Sequence, residues 1–126
     1  MTTRFLIDAD CAIYAMEGHF PSLRTRLAEC GPGEVALSAI SFAEVALGAA
    51  LGKPPPPAVL DAFLRAIPVA AFDEPAARAY ARLPFKRARF DRLLAAHALS
   101  MDATVVTHNT ADFADVPGLR VEDWTE

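Results

Sequence analysis

The sequence predicts an α/β fold of three layers, with a central parallel sheet of four to five short strands between helices, and three observations carry that prediction. Short runs suited to buried strands recur at residues 5–7, 35–37 and 104–107, and the stretches between them show helical spacing. Strands alternate with helices and no segment repeats, which is the pattern of a parallel sheet covered on both faces. With 126 residues and 53% apolar side chains, the chain suits one domain spanning residues 1–126.

Taken in order, Phe5, Leu6 and Ile7 make a first strand cut off by Asp8, and Asp10 can cap a helix to about Glu17. Pro21 opens a second helix, closed by Gly31, Pro32 and Gly33. Val35, Ala36 and Leu37 make a second strand, and Ser38 or Ser41 caps a helix to about Leu51. Pro54 to Pro57 form a stiff connection, because proline fixes φ and cannot extend the preceding helix. Leu60, Phe63, Leu64 and Ile67 recur at helical spacing, and Pro68 stops that helix before a third strand at residues 69–72. Pro75, at a favoured first helical position, opens a helix to Leu83. Phe90, Leu93, Leu94, His97 and Met101 fall on one stripe of an amphipathic helix, where His97 reads as a hydrogen-bonded core residue. Residues 104–107 then form a fourth strand, and residues 119–121 a last short one.

Composition narrows the function classes. Cys11 and Cys30 have no metal-like spacing and no signal peptide precedes them, so a reducing, cytoplasmic location is expected. The longest apolar stretch, residues 35–51, carries Ser38, Ser41 and Glu44 and is shorter than the roughly 20 residues of a membrane span, so no membrane role is expected. A net charge of −4 speaks against a general nucleic-acid coat protein. Six of the twelve basic residues nevertheless lie between Arg78 and Arg92. Arg82, Lys86, Arg87, Arg89 and Arg92 are either a solvated face or contacts to the phosphates of a nucleic acid.

Four acids fall where such a sheet binds ligands, at the carboxyl ends of its strands. Asp8 ends the first strand, Glu44 lies in the helix after the second, Asp91 opens the helix before the fourth, and Asp112 follows the fourth. Each has an ordinary structural reading: Asp8 as a cap, Glu44 as the capping-box partner of Ser41, Asp91 on a helix dipole, and Asp112 in a surface turn. Together they place four negative charges on one edge with few basic partners, and clustered carboxylates resist ionisation. A divalent cation resolves that conflict. Carboxylate ligands suit Mg²⁺ or Mn²⁺ rather than zinc, and the expected chemistry is phosphodiester hydrolysis.

The stretches FLIDADCAIYAM, ISFAEVALGA, FDRLLAAHAL and VVTHNTADFADVPGLRVEDW resemble, in order and spacing, the four blocks of VapC-type PIN-domain ribonuclease toxins. The resemblance covers nearly the whole chain. It implies a PIN-like α/β/α domain, endoribonuclease activity dependent on Mg²⁺ or Mn²⁺, a protein antitoxin that holds the toxin in check, and a homodimer. Carried over by position, it implies the catalytic and metal-binding set Asp8, Glu44, Asp91 and Asp112, with Thr107 and Asn109 in support. Asp10 stands where these toxins usually carry asparagine, as a further ligand or as a helix cap. The chain is also shorter than many of these toxins between Tyr80 and Asp91, and basic residues fill that region.

Two other readings use the same acids. An aspartate-nucleophile phosphatase would employ Asp8 and Asp10, yet it needs a late catalytic lysine, and Lys53 and Lys86 are the only lysines. A non-enzymatic metal-binding module with an acidic pocket differs from a nuclease only in activity.

Overall fold

Among the described residues the strands are β1 (Phe5–Ile7), β2 (Val35–Ser38), β3 (Val69–Ala70), β4 (Thr104–Val106) and β5 (Val121–Glu122). All pair in parallel, in the order β3-β2-β1-β4-β5, in a computed structural model that describes residues 2–87 and 89–126. The helices are α1 (Ala9–Glu17), α2 (Pro21–Glu29), α3 (Ala39–Ala50), α4 (Pro57–Ala66), α5 (Glu74–Ala81) and α6 (Arg89–Met101), and a 3-10 helix spans Thr110–Phe113.

Alternation along β1 assigns the two faces of the sheet. Phe5 and Ile7 meet Cys11 and Ala12 of α1, Leu23 of α2 and Trp124. Leu6 points the other way, into Leu94, Ala95 and Ala98 of α6. Leu6 and Ile7 are wholly buried. Each such side chain contributes roughly 1.5–3 kcal/mol relative to leaving it in water, so both faces must be covered.

The expected strand at residues 69–72 is only two residues long. Phe72 instead turns its ring edge toward His97, and Asp73 caps α5 by accepting from the Ala76 amide at 3.1 Å. The last strand lies at Val121–Glu122 rather than at residues 119–121, aligned by the Thr107 amide, which donates to the Glu122 carbonyl. Asp8, not Asp10, caps α1, because Asp8 Oδ1 accepts from the Cys11 amide at 2.8 Å. Among the described residues no helix is long and apolar enough to cross a membrane.

His97 is the core histidine the stripe predicted. Its Nδ1 lies 2.8 Å from Ser38 Oγ, the atom that also accepts from the Ile40 amide to cap α3. The pair therefore ties the start of α3 to α6. Burial pushes the imidazole below its ordinary range, against the charge of Asp73 and a bond to the Ala71 backbone. A depressed histidine pKa means that the unfolded chain takes up the proton first as pH falls, so this contribution to stability is lost below about pH 6.5. We expect His97→Gln to lose less stability than the unmodified chain between about pH 7.5 and pH 5.5, measured by urea unfolding. Identical pH slopes would remove His97 as a source of acid sensitivity.

Candidate active site

Strand order places a switch point beside β1, whose chain neighbour β2 lies on one side and β4 on the other. Ligands of open parallel sheets bind at such a point, outside the carboxyl ends of the strands. Here a cleft of about 200 Å³ opens, walled by Asp8, Asp10, Glu44, Asp91, Asp112, Thr107 and Asn109, with Phe90, Leu94 and Phe113 at its apolar edge. The four acids expected from sequence, the two supporting residues and Asp10 all reach it.

Each acid arrives on a different element for a local reason. Asp8 sits in the turn from β1 to α1, and its capping bond fixes the carboxylate. Glu44 projects from the middle of α3. The capping box with Ser41 is not formed, because Ser38 caps this helix and Ser41 is buried within its first turn. Asp91 occupies the first turn of α6, and Asp112 lies in the 3-10 helix that follows β4. Thr107 stands between two sides of the cleft: its Oγ1 accepts from the Asn109 amide at 3.0 Å, and its proximity to Asp8 works to lower that carboxyl against the effect of burial. Thr107 is fully buried.

The charges are in conflict. Burial is the main reason that the Asp8, Glu44 and Asp91 carboxyls are pushed above the usual range. Neighbouring carboxylates add to it: Asp10 raises Asp8; Asp10, Asp91 and Asp8 raise Glu44; and Asp112, Asp8 and Asp10 raise Asp91. Among the described residues, no Lys, Arg or His forms a salt bridge with any of the five acids. Nor do three His, Cys, Asp or Glu side chains close into a ready-made metal cage among them. The unpaired carboxylates are the feature that fits a hard cation such as Mg²⁺, which retains several waters and needs few direct protein ligands. The donor set, carboxylates with a hydroxyl and an amide, is the right chemistry for it. Cys11 does not line the cleft, and burial, and secondarily the charge of Asp8, pushes its thiol far up.

A PIN-domain family model matches residues 5–119 of this chain. The chain belongs to the PIN-domain family. Within it the VapC group is the relevant one: tRNA(fMet)-specific endonuclease VapC of Shigella flexneri is 30% identical over 97% of this chain and 98% of its own length. Ribonuclease VapC2 of Rickettsia felis is 27% identical over 95% of this chain and 97% of its own length. Among solved structures, a chain of the DNA-bound VapBC complex from Salmonella typhimurium superposes with a TM-score of 0.82, at 26% identity over 98% of this chain and 99% of that one. The parallel sheet with helices on both faces is thus the PIN fold.

Outside the cleft this PIN domain corrects one expectation. Arg92 is only 3% exposed; its Nη1 donates to Asp115 Oδ1 at 3.2 Å and its Nη2 to the Pro84 carbonyl at 3.1 Å. A guanidinium enclosed in this way cannot also meet RNA. Lys86 is exposed but donates to the same Asp115 carboxylate and holds it below its usual range, which leaves Arg82, Arg87 and Arg89 as the exposed members of the basic cluster without a salt bridge among the described residues. Sequence reasoning also missed the partners of two histidines. His108 Nδ1 lies 2.8 Å from Thr125 Oγ1, and His19 stands 3.6 Å from Glu17 and edge-on to Tyr14. The Glu17–His19 spacing was visible, but the His108 partner lies 17 residues away across a loop.

Proposed function

We propose that this PIN domain is a divalent-metal-dependent endoribonuclease and the toxin of a toxin–antitoxin pair. The observation that carries the reading is five carboxylates around one cleft at the sheet's switch point, three of them strained toward protonation and none salt-bridged among the described residues. Asp8, Glu44, Asp91 and Asp112 would hold Mg²⁺ or Mn²⁺, with Asp10 close by. When bound, the metal supplies a more acidic attacking water and positive charge against the phosphate. Thr107, beside Asp8, favours the charged form of its carboxylate. Asn109 offers an amide for orienting water or the phosphate. Neither lysine lines the cleft, which counts against an aspartate-nucleophile phosphatase.

Relatives named VapC and the VapBC complexes support a protein antitoxin as partner. An apolar groove beside the cleft, with Leu47 of α3, Leu51 at its C-cap and Phe90 of α6 exposed, suits a segment of such a protein, and an arginine on it would pair with the acids. A homodimer is part of the same proposal.

The direct test is cleavage of total cellular RNA with Mg²⁺ or Mn²⁺ and again with excess chelator. We expect cleavage only with the metal, and thermal stabilisation of the chain when metal is added. Cleavage that survives the chelator defeats the metal reading; metal binding without cleavage restores the non-enzymatic module. A second test concerns the basic cluster. Replacing Arg87 and Arg89 together by alanine is expected to weaken binding to single-stranded RNA and to flatten the log–log salt slope by about 1.4, at roughly 0.7 for each phosphate no longer neutralised. An unchanged slope would return these arginines to an ordinary solvated face.

A further inference from the structure

We propose that Tyr14, Phe20 and His108 form a shelf on which one unpaired nucleobase of the RNA stacks while its neighbouring phosphate lies in the acidic cleft; the proposal rests on the nuclease reading above. The three rings form one cluster: Phe20 lies 5.4 Å from His108 at 34°, and Tyr14 stands edge-on to both, 5.1 Å from Phe20 at 67° and 6.2 Å from His108 at 84°. Tyr14 and Phe20 rest their inner edges on the core, and His108 is 43% exposed.

The shelf is continuous with the cleft through two elements. His108 stands between Thr107 and Asn109, both of which line the cleft. Tyr14 follows Asp10, another lining residue, by one turn of α1, so the two share a helix face.

The fold fixes these rings at a local disadvantage. Phe20 has φ of 58°, a left-handed conformation that is an outlier for a bulky residue and easy for glycine. It also occupies the cap of α2 without making a side-chain capping bond. Strain held in this way beside a candidate site points to a use for the ring. His108 is held as well: its Nδ1 meets Thr125 Oγ1 at 2.8 Å, and that hydroxyl donates to Asp123 Oδ1 at 2.5 Å. A rigid aromatic surface takes any base by its π face, but only from a strand in which that face is free, so the shelf selects unpaired RNA.

The test uses an oligoribonucleotide spanning a cut that the unmodified chain makes in cellular RNA, together with a set lacking one base at each position in turn. For the unmodified chain, loss of one particular base beside the cut should raise KM about 5- to 150-fold, the worth of one stacked base, with kcat little changed. Phe20→Gly, which suits the backbone there, and His108→Ala, at an exposed position, should each raise KM on the intact oligonucleotide. Removing the same base should then cost these variants little more. The shelf is overturned where the losses from base and ring simply multiply, where no single base matters, or where the substitutions change only inhibition by the antitoxin. A chain that cuts no RNA at all defeats the nuclease reading itself, and the shelf with it.

Discussion

Replacing Asp91 with asparagine is expected to abolish RNA cleavage, a loss on the order of a thousandfold or more, and to leave thermal stability unchanged or raised. The amide keeps the size of the carboxylate but removes the charge that would hold a cation, and several kcal/mol of transition-state stabilisation correspond to a thousandfold in rate. The second half of the expectation separates a site from a structural ion pair. Asp91 makes no salt bridge among the described residues, and its carboxyl is pushed upward by burial and then by Asp112, Asp8 and Asp10. Neutralising it therefore relieves repulsion in the metal-free protein. Gel-based cleavage and a thermal melt on the same preparation give both readouts. Full activity would remove Asp91 from the site, and inactivity with a large drop in melting temperature would make its role structural.

The sheet and the four acids were legible because both are local in origin. The run Phe5, Leu6 and Ile7 must be buried on both faces, and Asp8 is the first residue that can leave that environment. Where several side chains were able to do one job, sequence could not choose. Both Ser38 and Ser41 fit the cap of α3; the choice falls to Ser38 because its hydroxyl also meets His97, 59 residues away. Asp8 and Asp10 posed the same ambiguity at α1, and Asp8 serves as cap and as cleft residue together. The aromatic cluster was invisible for a different reason: Tyr14 and His108 are neighbours only because β1 and β4 pair, and no periodicity joins them. Basic residues close in sequence were grouped as one surface, yet burial separates them.

Arg92 is where that separation has the largest consequence. Arg92→Ala is expected to destabilise the fold by about 2–3 kcal/mol, whereas Arg92→Met costs roughly 1 kcal/mol or less. The ion pair with Asp115 contributes little to this difference, since Asp115 faces water at 42% exposure and keeps Lys86 as a partner. The cost lies in the aliphatic stem, which alanine would replace with a cavity, and in the Pro84 carbonyl, which loses its donor. Arg92 Nε has no hydrogen-bond partner among the described residues, so methionine sheds an unsatisfied buried group while filling most of the same volume. The order of the two variants thus tests packing against charge. Urea unfolding measures it, and the salt slope of RNA binding by the folded Arg92→Met chain provides the functional control. That slope should match the unmodified chain; a decrease like that expected for the Arg87 and Arg89 substitutions would put Arg92 back among the phosphate-binding residues, and equal stability of both variants would show that the buried stem does not matter.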